Sequence, residues 1–205
     1  MGVRNRRRKE ERPQEIVDAA LKEFAINGYA ATRLDDVARR AGISKGTIYL
    51  YFGSKEELFK AVVRKSVVPQ LERVEDLLAA FDGTAEALIR LQITTLQRAI
   101  LETEVRDIVR LIIAEAATFP DLAEFYFHEV IERGKGILGR TIAFGVARGE
   151  FRDTGLAAFP QLLVAPVVMA LIWKTLFERH DPLDLDGLIE THLDLLLNGL
   201  GKERS

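Results

Sequence analysis

The sequence predicts an all-α protein of two parts with about nine helices: an N-terminal three-helix head with a helix-turn-helix, residues 1–52, and a helical body, residues 53–205. Three observations predict this fold class. Apolar residues recur at helical spacing almost throughout, and no segment alternates with the period of a strand. Capping residues and glycines mark the starts and ends of helices. Of the 205 residues, 48% are hydrophobic, which is enough for a packed core.

The first two helices are marked by local signals. Pro13 suits the first turn of a helix, and Asn-Gly at residues 27–28 provides its stop. Thr32 and Asp35 have the spacing of a capping-box variant, so Thr32 is predicted to cap a short second helix. Gly42 then ends that helix.

The next two helices begin at serines. Ser44 is predicted to cap a very short third helix. Ser54 and Glu57 form a capping box that opens a long fourth helix reaching about Phe81. Because Pro69 interrupts this run, the sequence predicts either a kink or the end of one helix and the start of another.

The body consists of five further predicted helices. Apolar spacing and capping residues place them at about 84–101, 104–118, 120–149, 156–180 and 184–199. The last has a clean apolar stripe, and the one before it contains a charge-free run that is apolar all round. Two adjacent helices with this much apolar surface predict a subunit interface; simple core helices are the alternative. The predicted interface residues are Met169, Leu171, Trp173, Leu185, Leu188, Ile189, His192, Leu193 and Leu196.

Charge is distributed unevenly along the chain. Residues 1–65 carry 15 Lys+Arg and 9 Asp+Glu, whereas the remainder carries 14 and 22. A basic first third joined to an acidic body predicts that the N-terminal part contacts a polyanion, such as a nucleic acid or a membrane surface. A solvated basic tail is the alternative, because six of the first twelve residues are Lys or Arg.

The chain shows no signal for secretion. It contains no Cys, and its polar N-terminus lacks the apolar segment of a signal peptide, so a cytoplasmic protein is expected. Residues 154–173 are uncharged over the length of a membrane span. Pro160, Gln161 and Pro166 argue against insertion, and a helix buried in a bundle gives the same pattern. No membrane partner is predicted; a membrane-attached protein remains the class-level alternative.

Two short helices joined by Ala-Gly-Ile-Ser at residues 41–44 have the pattern of a helix-turn-helix. In the second helix, Ile48 and Phe52 lie four residues apart and can anchor inward, which leaves polar residues outward. Small residues at the start of such a helix let its backbone approach base edges in the major groove. Gly46 costs up to about 1 kcal/mol relative to Ala in an ordinary helix, and close approach is a reason to tolerate it. The pattern predicts double-stranded DNA as a partner.

The head resembles the DNA-binding head of the TetR/AcrR family of bacterial transcriptional regulators. The resemblance covers residues 16–58, including the run AALKEFAINGYAATRLDDVARRAGISKGTIYLYFGSKEEL. Tyr51 stands where many members have His. The resemblance implies contacts to bases or phosphates from Ser44, Lys45, Gly46 and Thr47, and to phosphates from Thr32, Arg33, Tyr49, Tyr51 and Lys55.

The resemblance also implies how such a protein works. Its last two helices would form a four-helix bundle in a homodimer, and a dimer presents two recognition helices to a palindromic operator. A small apolar or amphipathic effector would bind in the body and release the repressor from DNA; an activator or a DNA-bound protein adaptor of the same fold are alternatives. The candidate pocket residues are Phe81, Leu96, Ile100, Ile112, Glu115, Phe119, Phe125 and His128, of which Glu115 and His128 are the polar groups.

Motifs for catalysis are weak or missing. Residues 134–139 spell G-x-G-x-x-G, but a helical pattern precedes them where a dinucleotide site needs a strand. Glu124, His128 and Glu132 share a helix face but lack the HExxH or Cys pattern of a zinc site. With no G-x-S-x-G motif, we expect no catalytic residue, metal or cofactor, and the protein is predicted not to be an enzyme.

Overall fold

The computed structural model describes residues 2–201, with side chains from residue 12 onward, and no β-strand occurs among them. The all-α prediction is confirmed. The helices are α1 (Gly2–Ala31), α2 (Leu34–Ala41), α3 (Lys45–Tyr49), α4 (Lys55–Ser66), α5 (Val68–Ala80), α6 (Ala85–Glu102), α7 (Val105–Glu115), α8 (Pro120–Tyr126), α9 (Arg133–Ala147), α10 (Gln161–Leu176) and α11 (Leu185–Leu200). A π-helical turn, Phe127–Glu132, joins α8 to α9, and a 3-10 turn, Leu156–Ala158, precedes α10.

With the run from α8 to α9 counted as one helix, residues 2–201 contain ten helices, in agreement with the prediction of about nine. Of the two structures that the sequence left open at Pro69, the protein has the second: α4 ends at Ser66 and α5 begins at Val68, with Pro69 in its first turn. A proline suits that place because the first turn has no intrahelical partner for its backbone nitrogen. The run from α8 through the π-helical turn to α9 is continuous, as the sequence predicts.

The N-terminal helix is longer than expected. It begins at Gly2, so Pro13 lies inside it rather than in its first turn. The predicted stop at residues 27–28 is confirmed as a break, because Gly28 has non-helical dihedrals of φ 74° and ψ 174°. Some of the basic side chains predicted to contact a polyanion, those up to Lys9, lie outside the described side chains. Arg12 is described, and its guanidinium pairs with the Glu15 carboxylate at 3.0 Å.

The chain divides into two compact units. The first comprises Met1–Pro69 with Asp107–Glu129, and the second Gln70–Arg106 with Val130–Ser205. In the first unit, α1 packs against α2 and α4 around an aromatic cluster. Phe24 lies 5.7 Å from Tyr29 and 5.6 Å from Phe59 between ring centroids. The predicted functional division after residue 52 stays a prediction.

The second unit is built around α6, which packs against α9, α10 and α11. Its core includes a buried polar pair, in which the Gln92 amide nitrogen donates to the Thr141 hydroxyl at 2.8 Å. Leu163 and Leu171 of α10 and Leu193 of α11 are buried within this unit. Between residues 2 and 201, no helix is long and apolar enough to cross a membrane.

Candidate nucleic-acid interface

A helix-turn-helix occupies residues 34–49. Gly42 ends α2 in the left-handed conformation at φ 65° and donates its N–H to the Arg39 carbonyl at 3.2 Å. The Ile43 N–H donates to the Ala38 carbonyl at 3.0 Å, which closes the turn. A residue with a side chain is strained at a positive φ, so glycine suits this reversal.

The start of α3 is capped as predicted. The Ser44 hydroxyl accepts from the Thr47 N–H at 3.2 Å and lies 2.9 Å from the Thr47 hydroxyl. Lys45 is exposed and donates to Asp35 at 2.9 Å, and this hydrogen bond raises the pKa of Lys45. A positive charge and two hydroxyls therefore lie together at the exposed start of α3.

The remaining predicted contacts along α3 differ in exposure. Ile48 is fully buried and fixes the inward face of the helix. Gly46 and Tyr49 are exposed, with 51% of the Tyr49 surface accessible, and Tyr51 is half-buried. Arg33 is exposed at the start of α2. Arg33, Gly46 and Tyr49 are therefore accessible to a ligand, and Tyr51 is accessible in part.

Thr32 is directed inward. It is only 2% exposed, and its hydroxyl lies within hydrogen-bond distance of the Gly28 carbonyl at 2.6 Å and the Glu23 carbonyl at 3.2 Å. The predicted capping of α2 by Thr32 is wrong: Arg33 is the N-cap residue, and it makes no side-chain cap hydrogen bond. The Thr32 hydroxyl instead lies against main-chain oxygens of α1, one of them that of Gly28 at the break in this helix.

Lys55 begins α4 but points to the connection between α1 and α2. Its ammonium donates to the carbonyls of Tyr29 at 2.7 Å, Ala30 at 3.0 Å and Thr32 at 3.1 Å, and lies 4.5 Å from the Tyr29 ring centroid. Partial burial lowers the pKa of Lys55. An ammonium has three N–H donors, and these three carbonyls match them in number.

Glu115, at the end of α7, binds the same connection from its other side. One carboxylate oxygen accepts from the Tyr29 N–H and the other from the Ala30 N–H, both at 2.7 Å. A Cβ atom at Gly28 would collide with the same carboxylate. Residues 28–32, here called the α1–α2 connection, are therefore held by Glu115 at N–H groups and by Lys55 at carbonyls. The sequence reasoning missed this arrangement.

The start of α4 follows the prediction closely. The Ser54 hydroxyl accepts from the Glu57 N–H at 3.1 Å, and the Glu57 carboxylate accepts from the Gly53 N–H at 2.7 Å. This capping box fixes the position of Lys55 relative to the α1–α2 connection. The acidic side chain of Glu57 thus occupies one main-chain donor, the Gly53 N–H, at this helix terminus.

The candidate pocket residues fall in both units. Within the first unit, Glu115 holds the α1–α2 connection, and the Phe119 ring lies 5.0 Å from that of Tyr29. Phe125 lies under the cations of Lys60 and Arg64. Ile112 is half-buried and His128 is exposed; in the second unit, Phe81 and Leu96 are half-buried and Ile100 is buried.

The candidate interface residues on α10 and α11 also separate by exposure. Leu171, Ile189 and Leu193 are buried within the second unit, whereas Met169 is 54% exposed. Five others are half-buried, namely Trp173, Leu185, Leu188, His192 and Leu196. Three exposed leucines were not predicted: Leu162, Leu176 and Leu195. The sequence of α10 does contain a pattern that could have identified two of them, because Leu162, Met169 and Leu176 are seven residues apart.

Two motifs set aside in the sequence lie in helices. The glycines of residues 134–139 belong to α9, which is not preceded by the strand that a dinucleotide-binding turn requires. Among residues 2–201, no three His, Cys, Asp or Glu side chains are grouped closely enough to hold a metal ion.

Comparison with known proteins identifies the class to which this helix-turn-helix belongs. Residues 16–62 match the family described as bacterial regulatory proteins, tetR family. Residues 86–196, just over half of the chain, match the C-terminal domain of AefR-like transcriptional repressors. The chain belongs to the TetR family and is a DNA-binding transcriptional regulator. Since members of this family are regulators rather than enzymes, the prediction that the protein is not an enzyme is confirmed.

Three similar proteins illustrate the range of the match. An uncharacterized regulator, YhgD of Bacillus subtilis, is 29% identical over 194 residues, which cover 89% of this chain and 95% of that protein. The fatty acid metabolism regulator protein of Bacillus subtilis is 37% identical over 70 residues, only 33% of this chain and 36% of that protein. The crystal structure of FadR from Bacillus subtilis in complex with stearoyl-CoA has a TM-score of 0.75 at 22% identity and shows the same fold, covering 91% of this chain and 98% of that chain.

Proposed function

We propose that this protein is a repressor that binds a palindromic operator as a homodimer in the cytoplasm and is released by a small apolar or amphipathic molecule. The observation that carries the proposal is the start of α3, where an exposed lysine and two hydroxyls surround a glycine on a capped helix. Such a surface combines donors for bases and phosphates with room for close approach.

The proposed DNA contacts have two kinds of role. Ser44, Lys45, Gly46 and Thr47 contact base edges or nearby phosphates, and Arg33, Tyr49 and Tyr51 contact phosphates along the groove. The Thr32 and Lys55 side chains are already bonded to main-chain carbonyls, so we propose that they act by holding the segment that carries α2 and α3.

The proposed dimer interface uses an exposed apolar stripe. Leu162, Met169 and Leu176 are spaced seven residues apart on α10 and are 59%, 54% and 60% exposed, and Leu195 of α11 is 69% exposed. Seven residues are about two helical turns, so the three α10 side chains share one face. Such a face becomes stable when a second copy covers it.

The oligomeric state of matched variants tests this interface. Met169→Glu with Leu176→Glu places charges in the stripe, whereas Leu91→Glu changes another exposed leucine of the second unit, on α6. Sedimentation equilibrium is expected to show a dimer for wild type and Leu91→Glu and a monomer for the double variant. A double variant that stays dimeric would place the interface elsewhere.

The effector proposal is supported by the C-terminal match and by a relative of the same fold that was crystallised with stearoyl-CoA. The effector must bind the DNA-incompetent state more tightly than the competent one, because a ligand that binds both equally shifts no population. Addition of acyl-CoA esters of graded chain length to the protein–operator complex, followed by anisotropy, measures release. Coenzyme A without an acyl chain is the control.

Selection of genomic fragments by the purified protein tests the central proposal. We expect one symmetric motif that binds at near-physiological salt, and repression of a reporter that carries it at its promoter. Activation of that reporter would favour the activator of the same fold. Weak, salt-sensitive and sequence-indifferent binding would show a general polyanion surface and overturn the operator proposal.

A further inference from the structure

Leu50 is an unusually exposed apolar side chain beside the residues proposed to contact DNA. It is 82% exposed, the largest value among the exposed large hydrophobic residues of the described side chains. Its backbone is helical, with φ −73° and ψ −22°, although it follows the last residue of α3. The side chain therefore continues the helical arrangement of residues 45–49.

The buried residue of α3 fixes where Leu50 points. Successive residues of a helix are rotated by about 100°. Gly46 and Leu50 each lie two residues from Ile48, so both fall on the side of the helix opposite to that fully buried residue. They are four residues apart and share one face. The outward face of α3 thus presents bare backbone at Gly46 and an isobutyl group one turn later.

The chemistry of the major groove limits what this face can contact. Base edges there present hydrogen-bond donors and acceptors, and the apolar group among them is the C5-methyl of thymine. Lys45 and Thr47, on the flanks of this face, provide the polar contacts. The absence of a Gly46 side chain lets the backbone come close enough for the Leu50 side chain to reach the floor of the groove.

We infer that Leu50 determines part of the operator sequence by packing against a thymine methyl in each half-site. This inference rests on the proposed function, since it requires α3 to lie in the major groove. It extends that function from the polar residues at the start of α3 to an apolar residue at its end. The operator should therefore contain a thymine at a symmetric position in each half-site. No other base should replace it there without a loss of affinity.

A double-mutant cycle with modified operators tests the contact. After the operator has been selected with the wild-type protein, each symmetric thymine pair is replaced by uracil, which lacks only the methyl group. We expect one pair whose replacement weakens wild-type binding by about 4-fold per half-site, the effect of one buried methyl group. Leu50→Ala should bind the natural operator more weakly and be insensitive to that replacement.

Ile113→Ala is the matched control, because Ile113 is an exposed apolar residue of α7 in the same unit. It should keep both the affinity and the uracil sensitivity of wild type. Thermal unfolding of Leu50→Ala is expected to match that of wild type, since the side chain is exposed. A lowered unfolding temperature would assign Leu50 a structural role and overturn the inference.

Other outcomes separate this inference from the proposed function. If the operator is found but every uracil replacement affects wild type and Leu50→Ala equally, Leu50 contacts no thymine methyl and the inference fails alone. If Leu50→Ala binds the operator normally but loses repression in cells, a protein partner covers Leu50 and the inference also fails. If no specific operator is found, the proposed function itself fails.

Discussion

The α1–α2 connection and helix α3 are neighbouring segments of the head, and they use similar residues in opposite ways. In the connection, the Thr32 hydroxyl and the Lys55 ammonium are bonded to main-chain carbonyls. In α3, the Thr47 hydroxyl and the Lys45 ammonium are paired only with exposed side chains. The comparison shows that the hydroxyl and the ammonium of α3 stay exposed where the main chain is already capped, whereas those of the connection are used to bond the main chain.

The difference begins with a single glycine. Gly28 breaks α1 in a conformation that residues with side chains rarely adopt, and this leaves N–H and carbonyl groups of the connection without helical partners. Glu115 takes two of the N–H groups and Lys55 three of the carbonyls. Helix α3 has no such break, since Ser44 caps its start. Three matched pairs of variants and one charge-removing variant test this contrast.

Gly28→Ala against Gly46→Ala should give the largest difference in stability. A side chain at residue 28 would be strained at φ 74° and would displace the Glu115 carboxylate, so the free energy of unfolding should fall by about 2–3 kcal/mol. Gly46 is helical, and an added Cβ atom would meet only the Ser44 hydroxyl oxygen, at an ordinary contact distance of 3.8 Å, so Gly46→Ala should raise stability by up to about 1 kcal/mol. Urea denaturation measures both.

The same two variants should rank oppositely in DNA binding. Gly46→Ala, although folded at least as well as wild type, should lose affinity for the selected operator because its methyl group keeps the backbone from the base edges. Gly28→Ala should retain operator binding in proportion to the folded fraction. Full operator affinity in Gly46→Ala would show that α3 does not approach the bases at this residue.

Glu115→Gln should have the next largest effect. The substitution preserves shape but replaces one acceptor with an NH₂ group, which then faces a main-chain N–H that it cannot satisfy. We expect a loss of about 2 kcal/mol in the free energy of unfolding, since a charge-assisted hydrogen bond is removed and a donor is left unpaired. Glu124→Gln, an exposed change on α8, is the control. Equal midpoints for both variants would refute the role of Glu115.

Whether an interaction of the head could be predicted from the sequence depended on how far apart its two residues lie along the chain. The caps at Ser44 and Ser54 bond within three residues and were predicted correctly. Thr32 has the spacing of a cap, but the break at Gly28 offers its hydroxyl closer acceptors. Lys55 and Glu115 bond the connection from 26 and 86 residues along the chain, and no local pattern reports such pairings.

The candidate dimer interface shows a second limit. The charge-free run of α10 is apolar all round, so hydrophobic pattern alone could not tell its core-facing side from its outward side. The structure assigns Leu171 to the core and leaves Met169 exposed, although both were predicted to share the interface. Packing against α6 and α11 makes this distinction, and it depends on residues distant in sequence.

Lys55→Met against Lys45→Met is the third comparison. Loss of the Lys55 ammonium removes the donor of three main-chain carbonyls, and water can replace it at some of them. We therefore expect the free energy of unfolding to fall by about 1–2 kcal/mol. Lys45→Met should leave the urea midpoint unchanged because its ion pair is exposed. It should lower the slope of log affinity against log salt by about 1 if Lys45 meets a phosphate. An unchanged slope would place Lys45 away from the phosphates.

Thr32→Val against Thr47→Val should give the smallest effect on stability. Valine keeps the shape of threonine and removes only the hydroxyl, so Thr32→Val should lose about 1 kcal/mol from its buried bond to the Gly28 carbonyl. Thr47→Val keeps the main-chain N–H that Ser44 caps, and its midpoint should not change. Its operator affinity should fall by about 5-fold, the effect of one hydrogen bond. If both variants lost stability alike and neither lost operator affinity, the contrast between the two segments would be wrong, because the Thr47 hydroxyl would then serve the fold as the Thr32 hydroxyl does.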